Sequence, residues 1–453
     1  MPSIFTTLLT SANALGVYEK VFATISNNVN NASTPGYARQ RLSPTPLPFD
    51  PFTGMSGGIT AGALESTRNE YAEQAVWRNQ FAFGNSDQLA SELTNVEPLF
   101  DVTGDTGIPL ALNQLFAAFS SWSIAPNDMV ARGTVIDRSV NLAQQFNSLS
   151  TGLMNAATAV NNRARGAVDT INNLAGQIAA VNAELRSSFE NRANAGIDAR
   201  LHNALESLAE YADYSALVQA DGTVTVLLGG QTVLVSGDQA NYIDESTTTG
   251  SLVVYDSTGK DITGQITGGR LKALIDTKNT LLVEFMDDAN RLAAGFADGI
   301  NAMLAAGVDA NGNPGAPLFS YDTAANAAFT LKVTPITPAE LAAAHASSPG
   351  GNGNALDLTA LASQPQIDGM SFMQFYSSLA GRVGQALQGA KADRQTEQDL
   401  LVQARSMRSD YSSVSLDEQA ALLIEYQRAY EAAARVVTVL NDLTQTTIDM
   451  MFR

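Results

Sequence analysis

Cysteine is absent from this sequence, and histidine occurs only twice. The first absence excludes disulfides and thiolate metal sites. A chain without thiols also suits a protein that must be threaded through a narrow channel without cross-linking. His202 and His345 stand in Ala/Leu-rich and Ala/Ser-rich stretches with no second His or Cys to complete a metal shell, so both read as structural side chains. No run reaches about 18 consecutive apolar residues, which argues against a membrane-spanning helix. The first residues lack a basic segment followed by an apolar core, so no cleavable secretory signal is expected. On those grounds alone the chain reads as cytoplasmic.

What is present is a chain of 453 residues, 45% hydrophobic and 16% charged, long enough for two or three domains around sizeable cores. The net charge of −19 is carried mainly by the middle: residues 1–78 balance five basic against five acidic side chains, and residues 379–453 carry eight against ten. An acidic surface of this kind repels phosphates and disfavours nucleic acid. Nearly neutral ends and an acidic middle suggest ends packed against other chains and a middle facing water.

Apolar periodicity organises both ends. Ile4, Leu8, Ser11, Leu15, Tyr18, Phe22, Ile25 and Val29 alternate spacings of four and three, an a/d seam over nearly four heptads and a helix roughly 40 Å long. The stretch SNNVNNASTPGYARQ then stops it. Asn27, Asn28, Asn30 and Asn31 compete with the backbone for hydrogen bonds. Pro35 forces Thr34 into an extended conformation, and Gly36 permits a reversal. At the other end Leu423, Tyr426, Tyr430, Ala433, Val437, Leu440, Thr444, Thr447 and Met451 repeat the spacing. Ser415 with Glu418 is a capping-box signature, so a helix is expected from about Leu416 to Met451. These two terminal seams ask for partners, either each other or neighbouring copies.

A third seam runs from Leu142 to Leu185 with one stutter between Ala156 and Ala164. Residues 214–268 lose the helical pattern: VTVLLGGQTVLVSG and SLVVYDSTGKDITG each read as two short strands about a turn. Helix resumes at Leu271 and continues towards Leu304. Residues 306–370 are Gly-, Pro-, Asn- and Ala-rich with short strand candidates such as FTLKV, and 372–407 are helical again. The expected fold is mainly α with a β insertion (α+β), elongated and nested. Residues 1–80 with 380–453 form a terminal helical shaft, 81–205 with 269–379 a helical bundle, and 206–268 a small β insertion.

Nothing in the chain assembles a catalytic constellation. GVDANGNPG places Asp309, Asn311 and Asn313 at alternate positions, but Pro314 and Ser320 stand where a calcium loop needs Gly and Glu, so a turn is expected. GMSGGITAG, Gly54–Gly62, matches neither a phosphate-binding loop nor a dinucleotide fingerprint, and reads as an extended connector. Asp287-Asp288 and Asp417-Glu418 read as solvated faces or helix-start carboxylates. No catalytic, cofactor-binding or metal-ligating residue is assigned.

The seam followed by SNNVNNASTPGYARQ resembles the N-terminus of the bacterial flagellar axial proteins, the family of rod, hook and hook-associated proteins. The matching positions are Ser26, Asn27, Asn28, Val29, Asn31, Thr34, Gly36 and Tyr37. The C-terminal SLDEQAALLIEYQRAYEAAARVVTVLNDLTQTTIDM resembles the terminal block of the same family. The stretches PLALNQLFAAFSSWSIAPNDMVARGTVIDRSVNLAQQFN, TINNLAGQIAAVNAEL and AGVDANGNPGAPLF narrow the resemblance to the hook-associated branch; 206–268 and 316–365 match little. The resemblance implies a structural protein and not an enzyme, assembled as a ring of many copies between hook and filament. It implies the hook protein and hook-associated protein 3 as neighbours and an export chaperone on the C-terminal helix. It also implies uncleaved passage through the flagellar type III channel to an extracellular site. The assembly interface expected from the seams comprises Ile4, Leu8, Leu15, Tyr18, Phe22, Ile25, Val29, Leu423, Tyr426, Tyr430, Ala433, Val437, Leu440 and Met451. Isolated helices of this kind are marginal, so the two ends are expected to order on assembly. The alternatives are a hook or rod protein of the same family, or a secreted binding module carried on a helical shaft.

Overall fold

A computed structural model describes residues 4–50, 52, 55–101, 106–248, 250–323 and 325–451. The chain is mainly α-helical with small antiparallel sheets. Its helices are α1 (Ile4–Asn30), α2 (Glu70–Val96), α3 (Gly107–Ile124), α4 (Met129–Ser187), α5 (Ala195–Tyr211), α6 (Gly269–Asp276), α7 (Leu282–Ala306), α8 (Ala327–Thr330), α9 (Gly353–Ala360), α10 (Phe372–Ser412) and α11 (Leu416–Met451). Contacts divide the chain into two compact units. The first takes Met1–Ala82, Thr170–Tyr242 and Gln398–Arg453; the second takes Phe83–Asp169 and Ile243–Glu397. Three of the four divisions fall within α2, α4 and α10, and the fourth lies between Tyr242 and Ile243.

In the first unit, α1 leads into an antiparallel ribbon. Strand β1 (Gln40–Pro46) pairs with β4 (Ile59–Ser66), and the ribbon continues through the short pair β2 (Phe49–Asp50) and β3 (Met55–Ser56). The described part of the glycine-rich connector, residues 55–62, therefore lies on the return side of a hairpin. The register shifts between Leu42 and Pro44, where a Cβ on Gly62 would meet Ser43 O at 2.4 Å. A four-stranded meander follows α5: β5 (Tyr214–Val218), β6 (Val224–Leu228), β7 (Thr232–Ser236) and β8 (Gln239–Ala240). Val224, Val226 and Leu228 alternate inward, as a half-buried strand requires. Asn182 of α4 pins the meander, donating to Val224 O at 2.8 Å and Gly237 O at 2.7 Å while accepting from Val224 N. Buried Tyr214 donates to Leu205 O at 2.7 Å, and its ring packs tilted against Trp77 and edge-on against Phe81.

The second unit is built around aromatic contacts. Phe296 of α7 lies 5.0–6.3 Å from Phe116, Phe319 and Phe372, with all three rings near edge-on. Arg132 is 2% exposed, and carbonyl oxygens receive its guanidinium. It donates to the carbonyls of Pro126, Pro338 and Leu341 at 2.7–3.0 Å, and its guanidinium lies 5.6 Å above the Trp122 ring.

Two local readings differ from the sequence pattern. Val253–Tyr255 pairs backwards with Asp244–Ser246, and only Tyr255 bridges forward to Asp261. The β-like FTLKV starts as the end of α8, and Lys332–Val333 alone is extended, paired with Phe319–Ser320. The division between the units also runs through residues 206–268, leaving the meander in the first and the 244–255 hairpin in the second. The GVDANGNPG segment is a turn held by Asp309, whose Oδ1 accepts from the backbone of Asn311 and Asn313 at 2.8 Å.

Candidate assembly interface

The terminal helices lie against each other. Asn28, near the end of α1, meets Gln419, near the start of α11; Tyr18 and Phe22, earlier on α1, meet Tyr426 and Tyr430, later on α11. The pair is therefore antiparallel, with ring centroids 6.1 and 5.9 Å apart. A second side of α1 packs on β1 and β4. Val17, Val21 and Ile25 are buried, whereas Leu8, Leu15, Tyr18 and Phe22 are half-buried and Ile4 and Val29 are exposed. On α11, Tyr426, Tyr430, Ala433, Val437 and Leu440 are half-buried and Leu423 is exposed. Met451 closes α11, and its side chain lies outside the described residues.

Spacing left a second feature of α11 unread. Val436, Val439, Leu443 and Met450 follow heptad positions of their own, beside the first seam, and all are exposed, Val439 at 56% and Leu443 at 49%. Phe5 and Leu9 on α1 are likewise exposed. Both helices of the pair thus carry exposed apolar side chains, and on α11 they share one face.

The asparagine-rich segment is the joint at the base of this pair. Asn31 folds back to Asn27, donating to its backbone and side-chain oxygens at 2.9 Å, and Thr34 donates to Asn31. Ser26 and Thr34 face solvent. Asn28 alone of the motif's asparagines is buried, at 1%. Its Oδ1 accepts from Gln40 N and the Tyr37 hydroxyl; its Nδ2 donates to Gln40 O and Gln419 Oε1, all at 2.8–3.0 Å. Burial pushes the Tyr37 hydroxyl up from its ordinary value. Gly36 has φ +75°, and a Cβ there would sit 2.4 Å from Ala199 O, so α5 rests directly on its backbone. Arg39 N donates to Ser412 O at 2.8 Å, and the Arg39 side chain pairs with Glu418. Ser415 caps α11 by accepting from Glu418 N, which leaves the Glu418 carboxylate for Arg39.

Behind the joint runs a charged network that sequence reasoning missed. Arg68 donates to Gly36 O at 2.6 Å and to Asp198 at 2.7 Å, and pairs with buried Glu73. Glu73 also binds Arg408 at 3.2 Å, and Arg408 and Arg405 both hold Glu206. His202 contacts Asp198 at 3.2 Å and stacks on Trp77. Burial would raise Asp198, but the hydrogen bond and charge of His202 and the Arg68 guanidinium outweigh it and bring the carboxyl down to about 2. The other histidine, His345, pairs with Asp357 at 2.6 Å in the second unit. Among the described residues no three His, Asp or Glu side chains are grouped to hold a metal, and no helix is long and apolar enough to cross a membrane.

Comparison with known proteins places these features. A family model described as the flagellar hook-associated protein FlgK helical domain matches residues 93–319, half of the chain. A second, described as the flagellar basal body rod FlgEFG protein C-terminal, matches 409–450. The chain is 26% identical over 504 residues to flagellar hook-associated protein 1 of Bacillus subtilis, covering 100% of this chain and 99% of that protein. It is 25% identical over 343 residues to the protein of the same name from Salmonella typhimurium, covering 71% of this chain and 62% of the relative. The solved structure of the flagellar hook junction protein FlgK from Burkholderia pseudomallei superposes with a TM-score of 0.68 at 15% identity, over 76% of this chain and 100% of that one.

Proposed function

The chain belongs to the flagellar hook-associated protein FlgK family and is a structural component of the hook–filament junction, not an enzyme; from this we propose that its copies close into a ring by packing their terminal helix pairs side by side. One observation supports this reading above the others: the open apolar flank formed by Val436, Val439, Leu443 and Met450. Burying each such side chain contributes about 1.5–3 kcal/mol before ordering costs, and a seam repeated around a ring sums many of them. We further infer that the hook protein and hook-associated protein 3 abut this ring. An export chaperone covers the C-terminal helix in the cytosol by helix-in-groove binding, and the chain reaches the extracellular junction through the flagellar export channel.

Val439→Asp with Leu443→Asp tests the flank. Both side chains are exposed, so the isolated chain should keep its circular dichroism spectrum while incorporation at the hook tip and filament attachment are lost. Normal attachment by this variant would refute the reading. Leu440→Asp, on the half-buried seam, should also abolish incorporation, in this case by opening the pair itself. The chaperone inference is tested by pull-down with a chain truncated after Ser415, which should lose binding.

A further inference from the structure

We propose that Asn28 is the register-determining residue of the terminal helix pair: its carboxamide fixes the axial offset at which α1 and α11 align, and so the surface that the pair offers to a second copy. The second clause rests on the assembly reading above; the first does not.

The case begins with the ambiguity of the seams. Apolar positions repeating every three and four residues on both helices fit together equally well after a slide of one heptad, about 10 Å along the axis. The contacts of Tyr18 and Phe22 with Tyr426 and Tyr430 are between half-buried rings, which tolerate such a slide. Asn28 does not tolerate it. It is 1% exposed, as is Gln419, and both oxygen acceptor sites and both amide hydrogens of Asn28 are used. Three of those four bonds go to the segment that follows α1, at Tyr37 and Gln40; the fourth crosses to α11. The side chain therefore ties the end of one helix, the start of β1 and the start of the other helix at one point. A one-heptad slide would replace Gln419 with Tyr426 or move the position off the start of α11. The Asn28 amide would then be buried against a ring or without a partner. A buried polar residue in an otherwise apolar seam selects one register in this way. The bond sits at the wall of a cavity of 210 Å³ lined by both apolar and charged side chains, among them Val21, Ile25, Arg39, Leu42, Glu418 and Tyr426. Arg39 links the same two ends through Ser412 O and Glu418, but Glu418 is exposed, so the Asn28–Gln419 bond is the fully buried member of the joint.

The chain's lack of cysteine allows clean spin labelling. Labels at Asn13→Cys and Asp417→Cys, both exposed, should give one narrow distance by electron–electron double resonance in the full-length chain. Asn28→Leu should add a second population displaced by about 10 Å, or spread the distribution over that range. Asn28→Gln combined with Gln419→Asn exchanges the two carboxamides and should restore the single distance. Ile25→Ala, a cavity on the same buried face, controls for lost packing and should keep one distance while lowering the melting temperature. If Asn28→Leu loses the helix pair altogether, Gln419→Leu is read in its place. A single unchanged distance in the leucine variant, or equal broadening in Ile25→Ala, would overturn the proposal. Filament attachment is measured on the same variants. If register broadens and attachment survives, the assembly clause fails while the register clause stands. If register is unmoved, the register clause fails whatever attachment does.

Discussion

Along α4, the three-and-four seam of Leu142, Phe146, Leu149, Leu153, Ala156, Val160, Ala164, Ala167, Ile171, Leu174, Ile178, Val181 and Leu185 is buried at every position but half-buried Ala156. Along α11, Leu423, Tyr426, Tyr430, Ala433, Val437 and Leu440 keep the same spacing, and none is buried. The pattern that marks an apolar stripe is the same in both, while the neighbours available differ. α4 is covered within its own chain, whereas α11 has α1 on one side and, on another, a second stripe that stays exposed among the described residues. Heptad spacing therefore reports that a helix wants company, and burial reports how much it has. On the proposed assembly this asymmetry is the useful feature, because a shaft satisfied within one molecule would have nothing left to join.

The largest expected effect separates the two helices directly. Phe146→Ala empties a fully buried site and should destabilise by about 3–5 kcal/mol. Tyr430→Ala removes a half-buried ring facing Phe22 and should cost the isolated chain only about 1 kcal/mol, yet weaken incorporation far more. Because the chain has two compact units, residue-level hydrogen exchange is the appropriate measurement. Equal costs for the two substitutions would mean that the α1–α11 seam is already a finished core, and the contrast would fail.

Glycine gives a sharper version of the same test. Gly36→Ala places a Cβ 2.4 Å from Ala199 O at φ +75°, and the backbone conformation alone should cost roughly 1–3 kcal/mol. Gly16→Ala, in the middle of α1, meets nothing within 4 Å and should stabilise the lone helix pair by about 0.5–1 kcal/mol. Thermal melts of the two variants should move in opposite directions. If Gly16→Ala also blocked incorporation, a neighbouring copy would be packed against that open face.

The helices most legible in the sequence were those with unbroken seams: α1, α4 and α11 stand close to where the spacing put them. α2, α3 and α5 were not read, because their apolar faces serve cores assembled from distant segments. Strand pairing around Val253 was misjudged because a local turn signal competed with a better partner upstream, Asp244–Ser246. In the motif, the helix end among the asparagines and the turn at Gly36 were readable because each acts on its own backbone; α1 ends at Asn30, five residues before Pro35. The role of Asn28 was not, since its partner Gln419 lies 391 positions away. The same distance hides the network of Arg68, Glu73, Asp198, Glu206 and Arg408, which contributes nothing periodic and joins α2, α5 and α10 only once the chain is folded.

That network makes the smallest prediction, and it asks what the less-covered end of the molecule relies on. The 142–153 stretch of the α4 seam is held by hydrocarbon, which does not titrate; the joint below α1 is held in part by charge. The Asp198 carboxyl is lowered from the ordinary 3.8 to about 2, so its contribution is complete above pH 3.8 and is lost as the pH falls towards 2. Asp198→Asn should lower stability at neutral pH by on the order of 1–2 kcal/mol, since the group is partly solvated. The gap between variant and parent should close as the pH drops from about 4 to about 2. Glu184, paired with Arg200 on the exposed surface, is the control: Glu184→Gln should stay within about 0.5 kcal/mol of the parent throughout. Hydrogen exchange across pH 2–6 should then show protection falling first at residues 36–40 and in α5, with α4 residues 142–153 unmoved until global unfolding. Simultaneous loss in both places would mean that the joint and the enclosed helix share one source of stability, and that α1 and α11 are no less finished than α4.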